Sequence, residues 1–140
     1  MGIFKRVGDI VTANLNDMVE RFESPETMLR QAIREMDAAV ARQMESAARV
    51  IADERLIDNE LARHRRESAE LYDRAREAVS RHDDEAARRP LARRQEHEKL
   101  IAALADQQAS VRTTGAKLRR QLDAMRVRRA EAERTLHVLI

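Results

Sequence analysis

The sequence predicts an all-α protein, with an N-terminal amphipathic helix followed by a long antiparallel coiled-coil helical hairpin. Three observations carry this fold class. Apolar residues recur by threes and fours along two stretches of near-equal length. The 140 residues hold only 3 Gly and 2 Pro, too few to punctuate a β-sandwich or an α/β sheet. The remainder is rich in Ala, Leu, Glu and Arg, with 37% charged and 2% aromatic residues, a composition typical of long helices. Helically spaced apolar residues also exclude a disordered chain.

Residues 1–22 form the first expected element. On a helical wheel Ile3, Phe4, Val7, Ile10, Val11, Leu15, Met18, Val19 and Phe22 fall on one broad apolar face. Lys5, Arg6, Asp9, Thr12, Asn16, Asp17, Glu20 and Arg21 fall opposite. Such a helix can lie in the headgroup–acyl interface of a bilayer, with Lys5 and Arg6 near anionic lipid. Lys5, Arg6 and Arg21 balance Asp9, Asp17 and Glu20, so apolar burial would supply most of the binding free energy. The alternative is an ordinary core helix packed on the hairpin, since surface helices of soluble proteins carry the same pattern. A narrow two-helix hairpin offers little core for so wide a face, which favours a membrane or another subunit. Asp9, Asn14, Asn16 and Asp17 interrupt the apolar run, so the segment does not read as a signal peptide. No stretch approaches the ~18–20 apolar residues that span a bilayer.

The second element, 25–81, opens at Ser24-Pro25-Glu26: a capping residue, a proline suited to the first helical position, and an acid at the positive helix end. Its stripe runs through Leu29, Ile33, Met36, Val40, Met44, Ala47, Val50, Ile57, Leu61, Leu71, Tyr72, Ala75 and Val79. The third, 84–140, follows the polar break Ser80-Arg81-His82-Asp83-Asp84, where either aspartate can cap a new helix. Pro90 lies about two turns further on, where it either kinks that helix or marks a later start. The seam here is a heptad: Ile101, Leu104, Gln108, Val111, Gly115, Leu118, Leu122, Met125, Arg129, Ala132, Leu136 and Leu139, with weak points at Gln108, Gly115 and Arg129. At 1.5 Å per residue each arm would reach about 75–85 Å. Partly polar seams favour further partners, so self-assembly is expected.

Catalysis is not expected. The chain has no cysteine, hence no disulfide, thiolate nucleophile or Cys-based zinc site, which is compatible with the cytosol. His64, His82, His97 and His137 form no His-Glu-x-x-His motif and place no two rings on one face within a turn. Solvent-exposed histidines without a metal are therefore expected, and no cofactor. Thr113-Thr114-Gly115-Ala116-Lys117 lacks the upstream glycine and the Lys-Ser/Thr ending of a phosphate loop. Asp83-Asp84 reads as turn chemistry. The basic residues of the third segment, among them Arg88, Arg89, Arg93, Arg94, Arg119, Arg120, Arg126, Arg128 and Arg129, could track phosphates. Stacking aromatics are missing, the net charge is only +2, and nucleic acid is not the expected partner.

Met1-Gly2-Ile3-Phe4-Lys5-Arg6 followed by Asp9-Ile10-Val11-Thr12-Ala13-Asn14-Leu15-Asn16 resembles the start of the phage shock protein A family, which includes the vesicle-inducing protein of plastids and belongs to the ESCRT-III superfamily. Pro25-Glu26-Thr27-Met28-Leu29-Arg30-Gln31-Ala32-Ile33-Arg34-Glu35-Met36 resembles that family's next block, and His82-Asp83-Asp84-Glu85-Ala86-Ala87 sits where the family has its hairpin tip. The resemblance covers the hairpin portion without the family's usual C-terminal helices. It implies a cytoplasmic protein, peripheral on the inner face of the cytoplasmic membrane, that binds anionic lipid through the first helix. It also implies self-assembly into a homo-oligomer or polymer that protects or remodels the bilayer. An AAA+ transcription activator bound through the hairpin is a further implied partner. The rival is a soluble coiled-coil adaptor that binds such a protein while the first helix folds back.

Overall fold

The computed structural model describes residues 2–12 and 24–140. They form three helices: α1 (Gly2–Thr12), α2 (Pro25–Ser80) and α3 (Asp84–Leu139). The all-α architecture is that of an N-terminal amphipathic helix followed by a long antiparallel helical hairpin. The part of the expected first element beyond Thr12 lies outside the described residues.

Helix boundaries follow local chemistry. Ser24 supplies the carbonyl that accepts the first turn's bond from Met28 N–H (3.0 Å), with Pro25 and Glu26 behind it. The end of α2 is a Schellman motif. Asp83 N–H donates to Ala78 C=O and His82 N–H to Val79 C=O, both at 2.9 Å. That motif requires a left-handed residue, and His82 occupies it with φ 61° where glycine is usual. Of the two candidate caps, Asp83 serves: its Oδ1 accepts a bond from Ala86 N–H at 3.1 Å. Helix α3 therefore starts at Asp84 and runs through Pro90, so Pro90 does not mark a later start.

Two compact units divide the chain, Met1–Ala48 with Ala116–Ile140, and Arg49–Gly115. The first contains α1 and the stretches of α2 and α3 remote from the turn. Its core gathers Val7, Ile10, Leu29, Ala32, Met36 and Ala132, with Ile3, Phe4, Val11, Ile33, Leu136 and Leu139 packed around it. Polar links join α2 to α3 there. Arg129 Nε donates to Asp37 Oδ1 at 2.7 Å, and Gln43 Nε2 donates to Gln121 Oε1 at 3.1 Å. The Asp37 carboxylate, helped by Glu133, raises the pKa of Arg129 above its already high ordinary value, so this half-buried guanidinium stays charged.

The second unit is the turn with its two arms. Near the turn Ala75, Ala78 and Ala87 pack together, small residues that let the helices approach closely. Further along, Leu61, Leu71 and Leu104 are buried. Gly115 faces Val50 so closely that an added Cβ would lie 3.3 Å from Val50 Cγ1. Gln108 Nε2 donates to Asp58 Oδ1 at 2.5 Å, and Arg112 pairs with Glu54 at 3.2 Å. Thus Gln108 and Gly115, like Arg129 in the other unit, are cross-arm contacts.

The stripe anticipated on α2 needs correction at three positions. Met44, Tyr72 and Val79 are 48%, 44% and 52% exposed. The positions beside them are more enclosed: Gln43 is half-buried, and Leu71, Ala75 and Ala78 are buried. Between Leu61 and Leu71 the buried residues are His64 and Ser68. The stripe therefore keeps its three-four step through polar residues that a count of apolar ones passes over.

Candidate functional site

Helix α1 is short, and 11 residues alone are marginally helical in water. Its charges also oppose the helix dipole. Lys5 and Arg6 lie toward the positive end, Asp9 toward the negative end, and neither an acid in the first turn nor a base in the last compensates. Thr12 donates its hydroxyl to Gly8 C=O at 2.9 Å. The helix must therefore be held by what covers its apolar face.

In the structure that cover is the hairpin. Val7 and Ile10 are buried at 1% and 6% exposure, and Ile3, Phe4 and Val11 are half-buried around the same core. Lys5 and Arg6 are exposed. Leu15, Met18, Val19 and Phe22, expected on the same face, lie outside the described residues. A narrow hairpin was expected to offer little core to α1; Leu29, Ala32, Met36 and Ala132 supply one. Beside the contact runs a largely apolar hollow of about 380 Å³, lined by Ile3, Val7 and Ile10 from α1 and by Met28, Gln31, Ala32 and Glu35 from α2. The docking is therefore incomplete along the α2 side.

Among the hairpin residues named from the sequence, Leu29, Met36, Leu104 and Leu122 are buried, and Ile33, Val40, Ile101, Val111, Leu118 and Met125 are half-buried. No helix of the described residues is long and apolar enough to cross a membrane.

The histidines depart from expectation. His64 is buried at 9% exposure instead of facing solvent, and its Nδ1 lies 2.9 Å from His97 Nδ1 on the opposite helix. His97 Nε2 lies 3.3 Å from the Glu67 carboxylate. Spacing along one helix cannot show this meeting, because the two rings come from different arms. Folding the sequence about the turn at 81–83 would have brought them close.

A model of the PspA/IM30 family matches residues 2–140. The membrane-associated protein Vipp1 of Synechocystis sp. is 35% identical over 139 residues, which are 99% of this chain and 52% of that protein. The phage shock protein A homolog of Deinococcus radiodurans is 30% identical over 133 residues, 95% of this chain and 60% of that protein. The chloroplastic membrane-associated protein VIPP1 of Arabidopsis thaliana is 29% identical over 107 residues, 76% of this chain and 32% of that protein. The chain thus spans about half the length of the first two curated relatives. With the amphipathic helix, the hairpin and a family match across nearly every residue in agreement, the chain belongs to the PspA/IM30 family.

Proposed function

We propose that this chain is a peripheral, self-assembling scaffold subunit that binds anionic lipid on the inner face of the cytoplasmic membrane through α1, and so protects or remodels that membrane. The observation that carries the reading is α1 itself: a broad apolar face with Lys5 and Arg6 exposed at its tip. Each fully buried Val, Ile or Phe contributes about 1.5–3 kcal/mol, whether the receiving phase is a protein core or acyl chains. Each basic residue near an anionic surface adds about 1 kcal/mol. The dipole mismatch of Lys5 and Arg6, unfavourable in the docked helix, is offset at such a surface.

Val7 and Ile10 cannot face the hairpin and a bilayer at once. Membrane binding on this reading requires α1 to leave Leu29, Ala32 and Met36. Self-assembly is supported by apolar side chains exposed along the arms, including Leu56 at 64%, Leu100 at 48% and Val127 at 57% exposure. The relatives named as membrane-associated proteins support the lipid partner.

The docked position of α1 favours one other reading, a soluble adaptor that grips a protein such as an AAA+ activator along the hairpin. Co-sedimentation with phosphatidylglycerol-containing vesicles separates the two. The full chain is expected to pellet, and Phe4→Glu with Val11→Glu is expected to lower binding at least tenfold while the helical circular dichroism persists. Full-chain protein that stays in the supernatant at low salt would transfer the function to the adaptor reading.

A further inference from the structure

We propose that His64, His97 and Glu67 form a binding site for a divalent transition-metal ion of the zinc class, bridging α2 and α3 inside the unit Arg49–Gly115. The proposal is independent of what α1 binds. One ligand atom from each of the three residues lies within 4.8 Å of the other two. The two Nδ1 atoms face each other at 2.9 Å, with ring centroids 5.1 Å apart and planes inclined by 47°. In a tetrahedral site with Zn–N of about 2.05 Å the two nitrogens would stand about 3.3 Å apart. A few tenths of an ångström of ring movement therefore admits the ion.

His97 Nε2 lies against the Glu67 carboxylate and carries the ring proton in the neutral form, leaving His97 Nδ1 as an acceptor. His64 Nδ1–H then donates to it, making one hydrogen bond. Shifting the His64 proton to Nε2 leaves two lone pairs aimed at one point, and a metal ion satisfies both. Before an ion enters, Glu67 steadies the His97 ring through Nε2. Its side chain is 43% exposed and can turn into the coordination sphere as a third ligand.

Two imidazoles and one carboxylate suit zinc, cobalt or nickel better than magnesium or calcium, which take oxygen ligands. Glu67 and His97 also line a groove of about 210 Å³ together with Glu70, Leu71, Arg74 and Arg93. Its two acids and two arginines balance in formal charge, so the donor atoms, not the local field, would set the affinity.

The chain 1–140, stripped with chelator and titrated calorimetrically with zinc chloride, is expected to bind one ion per chain, with a rise in melting temperature. Cobalt substitution is expected to give the visible bands of a tetrahedral site. His64→Leu and His97→Leu, which place apolar residues on the seam, are each expected to weaken binding at least tenfold while retaining helicity. Glu67→Gln should weaken it about tenfold. The proposal is overturned if stripped wild-type protein takes up no zinc. It is equally overturned if the His64→Leu/His97→Leu double variant binds as tightly as wild type, since other donors would then hold the ion.

Discussion

His82 carries a conformational cost that its neighbours offset. A non-glycine residue in the left-handed region is disfavoured by about 1–2 kcal/mol. The Schellman bonds to Ala78 and Val79, and the Asp83 cap of Ala86, hold it there. His82→Gly is expected to stabilise the hairpin by about 1 kcal/mol, and Asp83→Ala to destabilise it by about 1 kcal/mol. Urea melts of each variant against wild type would read both signs. A loss of stability in His82→Gly would mean that the imidazole makes contacts outweighing the backbone term. The tip residues were legible in the sequence because turn chemistry is local. His64 and His97 were not, because their meeting depends on register between arms. That register follows from where the turn begins, not from the spacing on either helix.

The helices themselves were legible through their three-four periodicity, and the errors have one cause. Counting apolar residues alone puts Met44, Tyr72 and Val79 on the α2 stripe and misses His64 and Ser68, which are buried on it. Yet Ser68 is buried and bonds Glu98, while Tyr72 is half-exposed beneath Arg94, whose guanidinium carbon lies 4.9 Å from the ring centre. The step continues even where the chemistry changes. Pro90 is the other case in which a local rule gave way. It removes the bond that a residue at that position would make to Ala86 C=O. Helix α3 nonetheless begins at Asp84, because the Asp83 cap and the packing of Ala87 against Ala75 and Ala78 fix the preceding turn. Pro90→Ala restores the missing donor. It should raise stability by as much as about 3 kcal/mol, the ordinary penalty for an interior proline. An unchanged melting midpoint would show that the first turns of α3 are strained into a shape that suits proline.

At the scale of the whole molecule, the apolar face of α1 is what two destinations compete for. Within residues 2–12 that face was legible in the sequence, but its docking was not, because the receiving core is built from both ends of the hairpin: Leu29, Ala32 and Met36 on α2, and Ala132 on α3. Ala32 separates docking from the hairpin's own packing. It lies off the step Leu29, Ile33, Met36, Val40 and beside Val7 and Ile10 in the hollow along α2, so its 4% exposure reflects α1. Ala32→Glu would bury a charge beneath a docked α1, which is costly unless the helix leaves. The competing states then set the sign of the effect. If α1 binds lipid only when undocked, the apparent affinity equals the intrinsic affinity scaled by the undocked fraction, so raising that fraction tightens binding. Ala32→Glu is therefore expected to increase vesicle binding several-fold, and amides 2–12 should exchange faster in the absence of vesicles while those of α2 and α3 keep their protection. Faster exchange with unchanged vesicle binding would mean that docking does not compete with lipid. Faster exchange with weaker binding would mean that the hairpin base presents α1 to the membrane.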